Sequence, residues 1–271
     1  MESKGSVQSV DRALTILKAL STSTPKKELG VSEIARNLGL SKATVYRLLC
    51  ALAKHRFVER NNSSEKYRLS WGIFEIGNKV PGVTELKTVA RPEMVRLCDL
   101  TGEIINLAVR DGTDAVLVDT VNAAQLLRLD LEAGRREPLH GTALGRSLLC
   151  DCRLEDLLGI FGNEDLPALT PHTVRTLAQF ERVLGEVRST GYAIDNEEFS
   201  VGIRCAGAPI RNHSGAVVAA ISISGPVHRF TEARVRDVLS AITAAARKVS
   251  CALGYAEPHE ENTEEQSHGK S

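Results

Sequence analysis

No run of the 271-residue chain approaches the roughly 18 uninterrupted apolar residues that a bilayer-crossing helix needs, and the opening MESKGSVQSVDR has no apolar leader core. Both absences point to a cytoplasmic protein with no membrane partner. Six cysteines (Cys50, Cys98, Cys150, Cys152, Cys205 and Cys251) are scattered without a C-x-x-C pair. That spacing supports neither a zinc site nor a disulfide framework, so most read as small buried hydrophobes in a reducing compartment, and no metal or cofactor is expected. Net charge is also lacking, since 34 Lys/Arg balance 34 Asp/Glu. The balance is uneven along the chain. Residues 1–70 hold 13 basic against 6 acidic side chains, a net of +7, and the remaining residues hold 21 against 28, a net of −7. A basic head on an acidic body suggests that only the head meets a polyanion.

Within that head, VSEIARNLGLSKATVYRLLCAL (residues 31–52) reads as two short helices joined by a tight turn. Ser32 is placed to cap the first, Glu33 suits the positive end of its dipole, and Gly39 ends it by taking a left-handed conformation. Ser41 caps the second, whose Val45, Leu48, Leu49 and Leu52 share one face. Ala35 lets the helices approach closely, which is the mechanics of a helix-turn-helix. In such a motif the second helix lies in the major groove. Ser41, Lys42, Ala43, Thr44, Tyr46 and Arg47, with Ser32 on the first helix, are the candidate DNA-binding residues. A helical hairpin inside a larger core is the alternative.

The flanks favour DNA. A first helix over Val7–Leu20, with Val7, Val10, Leu14 and Leu17 on one face, would complete a three-helix core. Strand candidates at 57–60 and 66–69, around the turn-rich Asn61-Asn62-Ser63-Ser64, make a wing. Its Arg60, Lys66 and especially Arg68 can reach phosphates or the minor groove.

Residues 71–101 read as a linker interrupted by Val80-Pro81-Gly82, then a linker helix from Val83 in which Pro92 begins a turn or a kink; its apolar side could supply a dimer contact. The body begins near Gly102. Strands are expected at 104–110, 115–121, 126–131, 191–194, 203–210 and 216–224, and helices at 142–150, 154–159, 173–190 and 232–253. This predicts an α+β domain on a mainly antiparallel sheet. The polar, acidic end of the chain reads as a disordered tail. The expected divisions are thus 1–70, 71–101, 102–255 and 256–271.

Six blocks carry a resemblance: SVDRALTILKAL, SEIARNLGLSKATVYRLLCAL and FVER…YRLS in the head, and REPLHGTALGRSLL, GYAIDNEEFSVGIRCAGAPI and GAVVAAISISGP in the body. In this order and spacing the sequence resembles the IclR family of bacterial transcriptional regulators from about Val7 to Gly254. The resemblance implies an N-terminal winged helix-turn-helix domain, a linker helix and a C-terminal GAF-like effector-binding domain, working as a homodimer or a dimer of dimers. It further implies a pocket for a small organic acid or derivative, carried onto Ala143, Leu144, Asp195, Ile203, Cys205, Ser222 and Ser224. Local chemistry agrees in part: the helix beginning at Thr142 offers free N–H groups to an anion, and Ser222 and Ser224, two apart on a strand, share a face. Read without the resemblance, Cys205 and the serines are as well explained as buried residues, and Asp195 as a turn residue. Leu144, where many relatives have a small residue, is expected to reshape the pocket.

Enzymatic readings are weaker. Cys205, His140 and Asp195 supply the residue types of a nucleophile, a base and an orienting group, but nothing local activates the thiol. Residues 141–147 lack the spacing and the lysine of a phosphate loop. Neighbouring Glu197 and Glu198 form no evident carboxylate pair. The sequence therefore predicts a ligand-responsive DNA-binding regulator, a repressor on a palindromic operator, and not an enzyme. The alternative is a small-molecule enzyme with an N-terminal protein-interaction module.

Overall fold

Three helices, α1 (Gln8–Ser21), α2 (Val31–Leu38) and α3 (Lys42–Lys54), build the N-terminal core around Ile16, Leu20, Ile34, Val45 and Leu49. The computed structural model describes residues 7–21, 28–122 and 133–256, and the chain divides into two units, 1–84 and 85–271. The strand expected at 126–131 and the acidic tail beyond residue 256 lie outside the described residues.

Gly39 closes α2 with φ 63°, and the Leu40 N–H returns to the Ala35 carbonyl at 3.0 Å. Ser41 then caps α3, accepting from the Thr44 N–H at 3.1 Å. Two expectations fail here. The cap of α2 is Gly30, whose N–H donates to the Glu33 carboxylate at 3.1 Å; Ser32 is already inside the helix and exposed. On α1 the buried stripe is Ile16 and Leu20 with Ala13 and Leu17 against it, whereas Val7, Val10 and Leu14 are 62%, 53% and 51% exposed. Two apolar stripes at helical spacing compete in α1, and the one bearing the larger Ile16 meets the core.

The wing pairs β1 (Val58–Arg60) with β2 (Tyr67–Leu69) in antiparallel register. Leu29 bridges Tyr67 on its other side, exchanging backbone bonds of 3.0 and 2.9 Å. A short helix, α4 (Trp71–Gly77), follows where the sequence suggested only linker. Pro92 lies inside α5 (Val83–Thr101) without ending it.

In the C-terminal unit, β3 (Ile104–Asp111), β4 (Asp114–Val121), β5 (Arg136–Pro138), β6 (Ala193–Asn196), β7 (Ile203–Arg211) and β8 (Val217–Pro226) form one antiparallel sheet in the order β5-β4-β3-β8-β7-β6. Alternation sorts its faces. Ile105, Leu107, Ile221 and Ile223 pack with α5 and α9 (Glu232–Ala252). Ile104, Ala108 and Ala220 face the other way, toward α6 (Ala143–Leu148), α7 (Leu154–Phe161) and α8 (Leu177–Thr190). The α8 helix begins four residues later than expected because Thr176 caps it, accepting from the Gln179 N–H at 3.3 Å. The strand expected at 191–194 runs instead from 193 to 196, after Gly191 ends α8 in a left-handed conformation. No helix of the described residues is long and apolar enough to cross a membrane.

Close approach fixes α6 on the turn before it. A Cβ on Gly145 would lie 1.9 Å from the Leu139 carbonyl oxygen. Gly145→Ala should therefore destabilise the C-terminal unit by about 2 kcal/mol or more. Chemical denaturation of the two proteins measures the difference.

Candidate functional site

Two surfaces carry chemistry, one in each unit. On α3, Lys42, Ala43, Tyr46 and Arg47 point away from buried Val45, Leu49 and Leu52 and are exposed. Among the described residues neither Lys42 nor Arg47 makes an ion pair, so both cations are available to a polyanion. Ser41 and Thr44 are committed to each other through hydroxyls 2.9 Å apart. The wing differs from expectation. Arg68 donates to Glu59 at 2.6 Å and lies 3.7 Å from Glu28, while Arg60 pairs with Glu65 at 2.9 Å and Lys66 with Glu33 at 3.5 Å. Hydrogen bonds from Ser64 and Asn61 hold the Glu28 carboxyl below its usual range, which keeps it charged beside Arg68. These exposed pairs are weak and a phosphate can displace them, but Arg68 must exchange partners to meet DNA.

In the C-terminal unit a cavity of about 220 Å³ opens between α6 and the β6–β8 end of the sheet. All seven residues carried over from the family resemblance line it: Ala143, Leu144, Asp195, Ile203, Cys205, Ser222 and Ser224. Five further lining residues were not foreseen as binding residues: Arg135, Glu137, Thr142, Phe199 and Ser200. For Arg135 and Glu137 a signal existed, since two charged residues two apart on an extended segment share a face. The segment was too short to be recognised as a strand.

Register explains the convergence. Asp195 on β6 is opposite Cys205 on β7, which is opposite Ser224 on β8; Ser222 is opposite Asn106 on β3, which is opposite Thr120 on β4. Directly paired residues point to one face, so a polar row crosses the sheet on the side where α6 sits. Asn106, 2% exposed, donates to the Ser224 hydroxyl at 3.3 Å and accepts from Thr120 at 3.2 Å. Among the described residues the Ser222 hydroxyl, 0% exposed, has no hydrogen-bond partner.

The loop over the cavity is held at several points. The Asp195 carboxylate accepts from the backbone N–H groups of Glu198 (2.8 Å) and Phe199 (3.4 Å). Buried Arg146 on α6 pairs with Glu198 and donates to the Ile194 carbonyl, and Thr173 donates to the Glu198 carbonyl at 2.7 Å. The start of α6 is already occupied in part, because the Thr142 hydroxyl accepts from the Gly145 N–H at 3.0 Å. The expected attraction of an anion to this short helix is correspondingly smaller.

Electrostatics argue against nucleophilic chemistry. Burial, then the Asp195 carboxylate, pushes the Cys205 thiol well above its ordinary value. His140 does not line the cavity; its ring is bound to the Pro167 carbonyl at 2.9 Å, and burial lowers its basicity. Burial also raises the Glu137 carboxyl and pushes Asp195 up to about 7. An acid whose pKa is higher folded than unfolded costs stability once ionised, so the penalty appears as pH rises from about 4 through 7. Asp195→Asn, which keeps an acceptor for the loop, should show a flatter pH profile. The stability of the parent relative to this variant, read from thermal melts, is expected to fall across that window.

The model of the IclR helix-turn-helix domain matches residues 9–62, and that of the bacterial transcriptional regulator IclR C-terminal region matches residues 79–251. The chain is 35% identical over 247 residues to the HTH-type transcriptional repressor AllR of Escherichia coli (strain K12), covering 91% of this chain and 90% of that protein. It is 34% identical over 250 residues to the HTH-type transcriptional regulator KdgR of the same organism, covering 92% and 94%. The crystal structure of the Thermotoga maritima IclR superposes with a TM-score of 0.76 at 30% identity, covering 92% of this chain and 99% of that one. Family models over both units, full-length relatives and a shared fold agree: the chain belongs to the IclR family of helix-turn-helix transcriptional regulators, and is not an enzyme.

Proposed function

We propose that this regulator represses transcription in the cytoplasm by placing α3 of two copies in successive major grooves of a palindromic operator, and that a small organic acid or derivative in the C-terminal cavity releases it. The observation that carries the effector reading is the Ser222 hydroxyl, fully buried and unpartnered in a cavity wall. A buried polar group without a hydrogen bond costs about 1–3 kcal/mol, and a ligand that supplies the partner recovers that cost. Repression is the reading suggested by the relative named a repressor. Arg47 and Lys42 lead the base and phosphate contacts, with Ser41, Ala43, Thr44, Tyr46 and Ser32 beside them and Arg68 joining from the wing.

The two-fold arrangement draws support from apolar side chains that the N-terminal unit leaves in solvent. Val7 just before α1, Val10 and Leu14 on it, and Trp71, Phe74 and Ile76 on α4 are each at least half exposed. A second copy is the occupant that a palindromic site requires. A route from cavity to linker helix also exists. Ser224 bonds Asn106, Asn106 bonds Thr120, and Arg91 of α5 donates to the Thr120 carbonyl at 3.2 Å and to Asp119 at 2.7 Å. A ligand that binds one setting of this chain of bonds better than another shifts DNA affinity by that difference alone.

Two substitutions test the reading. Arg47→Ala should cost about 1–3 kcal/mol in operator affinity and relax preference at one position per half-site, measured by fluorescence anisotropy on operator variants. A uniform loss on all sequences would make Arg47 a phosphate contact. Ser222→Ala should leave operator affinity and its steep salt dependence intact while weakening release by whichever acid stabilises the parent protein in a thermal-shift screen. Unchanged release in this variant would remove the cavity from the account.

A further inference from the structure

The cavity wall is richer in acceptors than an acid-binding site requires, and Glu137 is the reason. This residue is 7% exposed, lines the cavity, and has as its nearest basic neighbour Arg135, whose Nε lies 3.6 Å from Oε1, beyond hydrogen-bond distance. Among the described residues Arg135 is the cation that pairs with its carboxylate, and no closer donor is present. A largely buried carboxylate whose one cation stands beyond hydrogen-bond distance is poorly compensated. Asp195 brings a second carboxyl to the same cavity, and Ser222 brings a hydroxyl that lacks any partner. Arg135 is the one basic residue in the lining, with Arg146 outside it acting on Asp195.

From this imbalance we infer that the effector carries a protonated amine beside its acid group, and that Glu137 is the residue that selects it. The ammonium meets the Glu137 carboxylate and supplies the donors it lacks. The acid end is served by the Arg135 side of the cavity and by the hydroxyls of Ser222, Ser224 and Thr142. A simple acid would instead put its negative charge beside two carboxyls in a site with little water to screen it. Burial raises the Glu137 carboxyl, and an ammonium beside it favours the charged form. The inference rests on the effector role proposed for the cavity and narrows the ligand class within it.

The test uses the full chain and a panel of probes. Acetate, propionate, butyrate and pentanoate are each compared with their α-amino, ω-amino and hydroxy analogues by thermal shift and then by isothermal titration calorimetry. At least one amino member is expected to bind about tenfold or more tightly than both its unsubstituted and its hydroxy counterparts. Glu137→Gln should collapse that preference to near unity. The variant's melting temperature without ligand should not fall, since the substitution removes a largely buried carboxylate that only one loosely placed cation offsets, and that control separates lost selectivity from lost fold. Equal or tighter binding of the unsubstituted or hydroxy acids, or an amine preference that persists in Glu137→Gln, would overturn the inference while leaving the effector cavity standing. If no member of the panel binds and operator binding responds to none, both the amine preference and the acid-effector reading fall together.

Discussion

The C-terminal unit depends on a constraint set by its sheet: one row of polar side chains crosses a surface that is otherwise apolar. Thr120, Asn106, Ser222, Ser224, Cys205 and Asp195 are brought into line by strand register, and a one-residue slip would send every one of them to the opposite face. The neighbours Ile105, Leu107, Ile221 and Ile223 pin the register by packing with α5 and α9. Buried polar groups must find partners. Asn106 finds two and Asp195 finds the loop above it, but Ser222 finds none. The fold thus assembles part of a hydrogen-bonding surface, which in the proposed effector site a ligand completes. Gly207 belongs to the same arrangement, since a Cβ there would lie 2.8 Å from the Ala143 carbonyl oxygen and α6 could not sit so close to the sheet.

The N-terminal unit answers a different demand, the presentation of cations without internal partners. Gly39 turns the chain between α2 and α3, Ser41 starts the second helix cleanly, and the Val45, Leu49 and Leu52 stripe fixes its rotation. Among the described residues Lys42 and Arg47 then face outward without an ion pair, while the wing cations are engaged with Glu28, Glu33, Glu59 and Glu65. Charge neutralisation within the wing and its absence on α3 direct the phosphate attraction to α3, the helix proposed to read base edges.

Much of this was legible because the signals are local. The turn glycine, the Ser41 cap and the apolar face of α3 lie within one short segment, and the long strands β3, β4, β7 and β8 announce themselves by composition. The α1 face was misread because Val7, Val10 and Leu14 repeat at helical spacing as well as Ala13, Ile16, Leu17 and Leu20 do, and only tertiary packing separates them. Ser32 was misplaced as a cap because the capping interaction is made by Glu33 with the backbone of Gly30, which shifts the helix start by two residues. The family resemblance named seven cavity residues, but Glu137 sits on a three-residue edge strand, with Arg135 just before it, too short to be told from a loop in sequence. The ion pairs of Arg68 were equally hidden, since Glu28 and Glu59 reach it through tertiary folding and cross-strand pairing.

The central claim is that the outward face of α3 reads specific DNA under control of the cavity. Selection of genomic fragments by the purified protein at near-physiological salt, with and without a mixture of small amino and hydroxy acids, tests it most directly. The account predicts that enriched fragments share an inverted repeat and that the acid mixture depletes them. A folded protein that enriches no fragment in either condition would contradict it.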